Sequence, residues 1–135
     1  MYGSLEFLFN LGFEFAGEWM VDGGQPKLIL NKYREIKNAL YAFITEDDVM
    51  YIGKTARTLH ERMNGYKKPG PTQKTNIKNN KNILELIKKG IPVRILVLVE
   101  NEDLKYRGVP IDIASGIEDN LIAMIKPRWN EIGKG

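Results

Sequence analysis

Any chemistry in this sequence has to be done with a restricted set of side chains. Its 135 residues include no cysteine and a single histidine, His60. That excludes disulfides, thiolate zinc sites and a cysteine nucleophile, and the lone histidine argues against Ser-His-Asp catalysis and any multi-histidine metal site. What the chain concentrates instead is positive charge. Residues 54–94 carry eleven Lys or Arg (Lys54, Arg57, Arg62, Lys67, Lys68, Lys74, Lys78, Lys81, Lys88, Lys89 and Arg94) against only Glu61 and Glu85, a net of +9. Residues 1–53 are net −4 and residues 95–135 net −2, so the overall +3 hides a strong asymmetry. A self-repelling basic segment between acidic ones suits an anionic partner, and a nucleic-acid backbone is the leading candidate because each neutralised phosphate releases counterions. The same lysines also fit a merely solubilising face, and charge by itself does not separate the two.

The elements that must hold these groups can be read from spacing. Ser4 to Leu11 suits a short helix with Ser4 as N-cap and Gly12 just past its end. Phe13, Phe15, Trp19 and Val21 then fall on odd positions, the period of a half-buried strand. Asp22-Gly23-Gly24 supplies a turn, and residues 27–30 can pair back as a hairpin. Two apolar runs, 39–44 and 49–52, flank the acidic turn Glu46-Asp47-Asp48 and predict a second hairpin. Gly53-Lys54-Thr55 is expected to end that strand and open a helix whose inner face carries Leu59, Met63 and Tyr66. Residues 67–75 read as a basic loop, 79–89 as a helix through Ile83, Leu84 and Ile87 stopped by Gly90, and 92–99 as a central strand. A polar loop over 101–110 leads to a last helix marked by Ile113, Ile117, Leu121 and Met124, which Pro127 ends. The expectation is one α+β domain: a small three-stranded mixed or antiparallel sheet flanked by helices, at 39–135, with a helix and β-hairpin extension at 1–38. With 43% hydrophobic residues, no apolar run near the ~20 residues of a membrane span and no secretory-signal pattern at the N-terminus, a cytoplasmic protein with no membrane partner is expected.

Four blocks along this chain resemble the GIY-YIG nuclease family. Ala39-Leu40-Tyr41 stands at the first half of the signature, with Ala39 in place of its first glycine, and Tyr51-Ile52-Gly53 reproduces the second half. Lys54-Thr55-x-x-x-Leu59-x-x-Arg62-x-x-x-Tyr66 is similar to the family's first helix with its arginine. Ile117-Glu118-x-x-Leu121-Ile122, followed by Pro127-x-x-Asn130, is similar to its glutamate helix and trailing asparagine. The resemblance spans 39–130. It implies the GIY-YIG fold and a catalytic set of Tyr41, Tyr51, Lys54, Arg62 and Glu118, supported by Gly53, Tyr66 and Asn130. Glu118 is then the metal ligand, with Mg²⁺ as cofactor and Mn²⁺ as its substitute.

The chemistry of those residue types agrees. Phosphodiester hydrolysis needs an activated water, charge neutralised on the phosphate and a stabilised leaving oxygen. Glu118 is a hard oxygen donor of the kind Mg²⁺ takes one or two of, waters completing its shell. Arg62 can fork onto two phosphate oxygens as a permanent charge. Lys54 is a cation beside Tyr51, and by the resemblance Tyr41 is the general base or water orienter while Tyr51 positions nucleophile or phosphate. Taken singly, each residue has a plainer reading. The tyrosines suit strand packing, Arg62 a solvated helix face, Asn130 a turn. Glu118 could close a capping box with Ser115, a reading that Gly116 inside the first turn and Asp112 as an alternative N-cap weaken. His60 reads as exposed.

The expected function is a metal-dependent endonuclease hydrolysing double-stranded DNA, of restriction or phage type and acting in a prokaryotic or phage-infected cell. Arg57, Lys67, Lys68, Lys74, Lys78 and Lys81 are expected to hold the DNA backbone. Since one site cuts one strand, a homodimer or higher homo-oligomer is expected. The alternatives are a non-catalytic DNA-binding module of the same fold, a repair-type nicking nuclease, and a small interaction protein.

Overall fold

Two hairpins and one lone strand make the framework of the computed structural model, which describes residues 4–99 and 104–130. After helix α1 (Leu5–Leu11) come strands β1 (Phe13–Asp22) and β2 (Gln25–Leu30), then β3 (Ala39–Thr45) and β4 (Asp48–Thr55). Helices α2 (Leu59–Lys67) and α3 (Lys74–Lys88) lead to β5 (Val93–Leu98). A two-stranded ribbon of β6 (Lys105–Tyr106) and β7 (Val109–Pro110) precedes helix α4 (Ile113–Ile125). The main sheet has the order β2-β1-β5-β3-β4, and each neighbouring pair is antiparallel.

The α+β class is as expected, but the sheet has five strands where three were expected. The N-terminal hairpin does not hang outside it: β1 pairs with β5 from Phe13↔Leu98 to Trp19↔Val93. Strands β3 and β5 lie inside the sheet, and all seven residues of β3 are buried. Alternation along β3 sends Ala39, Tyr41 and Phe43 to one face and Leu40, Ala42 and Ile44 to the other. On the first face they meet Leu59, Met63 and Tyr66 of α2 and Ile83 and Ile87 of α3. On the second they meet Leu8 of α1 and Ala114 and Leu121 of α4. The sheet is thus covered on both sides.

Local signals explain most boundaries. Ser4 Oγ accepts from Phe7 N, and Gly12, at φ 107°, closes α1 in the left-handed region. The odd-position rule fails within β1, because a bulge between Phe15 and Gly17 shifts the register. Phe13 and Trp19 are buried, on opposite faces of the sheet, while Phe15 is exposed. The helix expected straight after Gly53 starts later: β4 runs to Thr55, and Thr58 opens α2 through a capping box with Glu61. Helix α3 starts at Lys74, five residues before the expected Asn79. Its first turn offers only polar residues and Ile77, so apolar periodicity could not find it. The expected loop at 101–110 holds the β6–β7 ribbon from residue 105, and residues 100–103 lie outside the described residues. No described helix is long and apolar enough to cross a membrane.

The β1–β2 contact depends on Gly17. A Cβ at that position would lie 2.0 Å from the Ile29 carbonyl oxygen and 2.9 Å from Leu30 Cα. Since those atoms are backbone of the paired strand, they cannot yield by a rotamer change. Gly17→Ala is expected to lower stability by about 1–3 kcal/mol, the range for overpacking, read as a lower urea midpoint with an unchanged slope.

Candidate active site

The site begins with a missing side chain. In the β3–β4 hairpin, Tyr41 sits opposite Gly53 and Phe43 opposite Tyr51. A Cβ at Gly53 would fall 2.5 Å from the Tyr41 hydroxyl oxygen, 2.6 Å from its Cζ and 2.8 Å from Tyr51 Cε2. Only glycine therefore lets the Tyr41 ring lie across the neighbouring strand toward Tyr51. The two ring centroids are 6.3 Å apart, and Tyr51 stacks on Phe43 at 5.8 Å.

Helix α2 supplies the next two groups, one turn apart. Tyr66 meets the Tyr41 hydroxyl oxygen to oxygen at 2.5 Å, and Arg62 Nη2 donates to the Tyr66 hydroxyl at 2.7 Å. The guanidinium carbon also lies 4.1 Å from the centre of the Tyr66 ring. The other arm of the fork is held from α3: Arg62 Nη1 donates to Asn76 Oδ1 at 2.9 Å. Asn76 Nδ2 in turn donates to Gln73 Oε1 at 3.1 Å, which also accepts from Gly70 N at 2.8 Å. Arg62 is thus oriented by a buried tyrosine on one side and a buried asparagine on the other.

Burial divides the tyrosines. Tyr41 and Tyr66 have no exposed surface, whereas Tyr51 is half-buried. Burial pushes the Tyr41 hydroxyl far above its ordinary range; the Arg62 charge opposes this and Tyr51 adds to it. Burial likewise raises Tyr66, with Tyr41 and Tyr51 adding to the effect. Both remain neutral hydrogen-bonding groups. For Arg62, burial disfavours the charge, but the oxygens of Tyr41, Tyr66 and Tyr51 together outweigh it and leave its pKa raised. The guanidinium is a permanent cation.

A second cluster lies where β4 meets α4. Lys54 Nζ donates to Ser115 Oγ at 2.5 Å, and Ser115 Oγ donates to Asp112 Oδ2 at 2.8 Å. Asp112 is the N-cap of α4, its side chain accepting from Ala114 N at 3.2 Å. The capping box of Ser115 with Glu118 is therefore not formed, and Glu118 is left for other work. Partial burial raises the Glu118 carboxyl above its usual range, Asp119 adds to this and Lys54 opposes it. No group of three or more His, Cys, Asp or Glu converges among the described residues. With Glu118 as the one carboxylate donor, a divalent cation held there would have to keep most of its waters, a shell that Mg²⁺ accepts.

Asn130 acts on the backbone. Its Oδ1 accepts from Ile52 N at 2.9 Å and its Nδ2 donates to Ile52 O at 2.8 Å. These bonds occupy one residue of the free edge of β4, between Tyr51 and Gly53. Of the expected DNA-binding residues, Lys74, Lys78 and Lys81 are exposed along one stripe of α3, and Lys74 and Lys78 line a cavity of about 380 Å³ beside Tyr51. Arg57 is exposed in the turn before α2, and Lys67 and Lys68 lie at the end of that helix. His60, expected to be exposed, is half-buried: its backbone N–H donates to Arg34 O at 3.0 Å and its ring lies 3.4 Å from Asn64 Nδ2. Sequence reasoning missed Asn76, Gln73 and Ser115 as positioning groups. No local signal marks Asn76, whose partner Arg62 lies fourteen residues back across a loop, or Gln73, which acts on Arg62 only through Asn76, but the T-x-x-E box that starts α2 was readable.

The fold that carries this site is one found in nucleases. No family model matches the chain, and no curated protein matches it in sequence. Among solved structures it is similar to a mutant of bacteriophage T4 EndoII, with a TM-score of 0.73 and 22% identity over 95% of this chain and 98% of that one. It is also similar to the restriction endonuclease Hpy188I in complex with product DNA, with a TM-score of 0.55 and 16% identity over 91% of this chain and 82% of that one.

The Tyr66 hydroxyl serves two partners at once, so its removal strands both. Tyr66→Phe keeps the ring and leaves the Tyr41 hydroxyl and Arg62 Nη2 without their shared partner. It is expected to cost about 1–3 kcal/mol of unfolding free energy, the penalty for buried groups left unpaired, measured by urea denaturation.

Proposed function

We propose that this chain is a divalent-metal-dependent endonuclease that hydrolyses phosphodiester bonds in double-stranded DNA, of the GIY-YIG type. The observation that carries the reading is the convergence of Tyr41, Tyr51, Arg62 and Tyr66 around one fixed guanidinium. The likeness in fold to EndoII and to Hpy188I bound to product DNA supports it.

The residues divide the work by exposure. Arg62, its fork pinned by Tyr66 and Asn76, offers fixed positive charge to the phosphate as negative charge grows on its oxygens. Charge that is already oriented needs no reorganisation during the reaction. Tyr51 is the tyrosine open to a substrate, so it takes the task of orienting the attacking water that the resemblance gave to Tyr41. Tyr41, buried and raised, holds Tyr66 and through it Arg62. Lys54, anchored by Ser115, keeps a positive charge near the Glu118 carboxylate and favours its ionised form. Glu118 would hold Mg²⁺, or Mn²⁺ in its place, which when bound supplies Lewis-acid charge to the phosphate. The exposed lysines of α3 extend the positive field along the strand that is cut and carry no sequence information themselves.

Plasmid cleavage tests this directly. Wild type is expected to nick and linearise DNA with Mg²⁺ and to stop with EDTA. Arg62→Ala and Glu118→Ala should each lose at least about 10²-fold in rate. Tyr51→Phe should lose about 10²-fold and Tyr41→Phe clearly less, since only the first hydroxyl is open to substrate. Equal nicking by wild type and all four variants would refute the nuclease reading, and DNA retained without any cleavage would leave only a binding module.

A single catalytic set cuts a single strand, so a double-strand break needs two. The DNA-bound species is expected to have the mass of at least two chains by light scattering. A protein that linearises plasmid in one event while bound as a monomer would refute this.

A further inference from the structure

The cavity beside Tyr51 has features that the cleavage machinery leaves unused. It is lined by Tyr51, Lys74, Thr75, Lys78, Asn79 and Trp129, with Asn130 at its rim, and encloses about 380 Å³. Neither Arg62 nor Glu118 lines it, so it lies next to the cleavage position and not on it. No carboxylate lines it either, and two of its residues are exposed lysines. Lys74 and Thr75 are the first residues of α3, a helix of 15 residues that has no side-chain N-cap. The cavity wall thus combines ammonium groups with the positive end of a helix.

Asn79 provides an independent observation. It is 1% exposed, and its Nδ2 has no hydrogen-bond partner among the described residues. On the same helix Asn76 is satisfied by Arg62 and Gln73 and Asn80 by the Tyr66 carbonyl at 2.8 Å, while Asn82 Nδ2 is also unpartnered but does not line the cavity. A buried amide with an unmade bond weakens the free protein. A donor kept at that cost, at the wall of a cationic cavity, is explained if an acceptor arrives from outside. Asn χ2 is a soft torsion, so the nitrogen can turn toward it.

We propose that this cavity is a subsite for a phosphate of the DNA strand flanking the phosphate that is cut, with Asn79 as its neutral donor and Lys74 as its charge. The proposal rests on the nuclease reading. A phosphodiester oxygen is a strong acceptor that matches a wall made of donors, and the Asn130 amide, committed to Ile52, sets the edge of β4 beside it. Tyr51 belongs to both places, so filling the subsite fixes the strand in register with the hydroxyl that orients water. Binding there would act on the rate as well as on affinity.

The test uses a duplex whose cut position has been mapped by sequencing the ends of digested DNA. A single neutral methylphosphonate replaces each flanking phosphate in turn, and both binding in EDTA and cleavage in Mg²⁺ are measured. For wild type, one flanking position is expected to cost about tenfold in affinity. In Asn79→Ala and in Lys74→Met the unmodified duplex should already show much of that loss, and methylphosphonate at the same position should add less than about twofold. The subsite is refuted if both variants lose the same factor as wild type at every position. If wild type binds DNA but cuts none, the nuclease reading falls, while the same interference pattern, walked along a duplex by binding alone, still decides the subsite.

Discussion

A guanidinium taken partly out of water persists only where other groups replace the water, and Arg62 is placed so that they do. Desolvation works against its charge, yet Tyr41, Tyr66 and Tyr51 leave its pKa raised, and the Tyr66 hydroxyl and Asn76 Oδ1 accept from the two arms of its fork. Most of what is specific in this fold follows from that requirement. Tyr66 must reach both Arg62 and Tyr41, so α2 must pack flat on the sheet, which Leu59 and Met63 achieve by filling the core beside it. Tyr41 must come up from β3 with its ring across β4, so the residue opposite must lack a side chain, and Gly53 does. Asn76 must face α2 from α3, so α3 must begin as early as Lys74, well before its apolar residues demand a helix.

The remaining sheet makes this arrangement stiff. Tyr41 lies on an interior strand with every neighbour buried, flanked by β5 on one side and β4 on the other. The N-terminal hairpin extends the sheet beyond β5, so that β5 is paired along both edges and stays interior. That gives the first 38 residues a mechanical role in a site to which they contribute no side chain.

The elements that carry the candidate site were largely legible in the sequence, and the rest of its arrangement was hidden for identifiable reasons. The two tyrosine runs, the arginine helix and the glutamate helix sit on the elements expected for them, because apolar period and turn residues mark those elements well. The difference in burial between Tyr41 and Tyr51 was not legible. Both are tyrosines on strands, and their burial depends on which lies inside the sheet and which on its edge, a property of strand order. The five-stranded sheet was hidden likewise: each strand could be seen, but the pairing of β1 with β5 spans some eighty residues and leaves no local trace. The start of α3 was missed because its first turn serves the site and not the core, so its residues are polar. At α4 the capping box of Ser115 with Glu118 gives way to Asp112 as the N-cap.

The two halves of the site stand on opposite faces of the sheet. Arg62 and the buried tyrosines belong to the face covered by α2 and α3, while Glu118 belongs to α4 on the other. Through the sheet they could never meet, because two interior strands fill the space. Strand β4, however, is an edge. Around it, Tyr51 and Gly53 serve the first cluster and Lys54 serves the second, within four consecutive residues. A phosphate that touches both clusters must therefore lie along the free edge of β4. An edge strand exposes backbone donors and acceptors that would compete for it or slip in register. The Asn130 amide closes off the Ile52 pair at that very point, beside the cavity that Tyr51 lines, and so holds the edge in one register there.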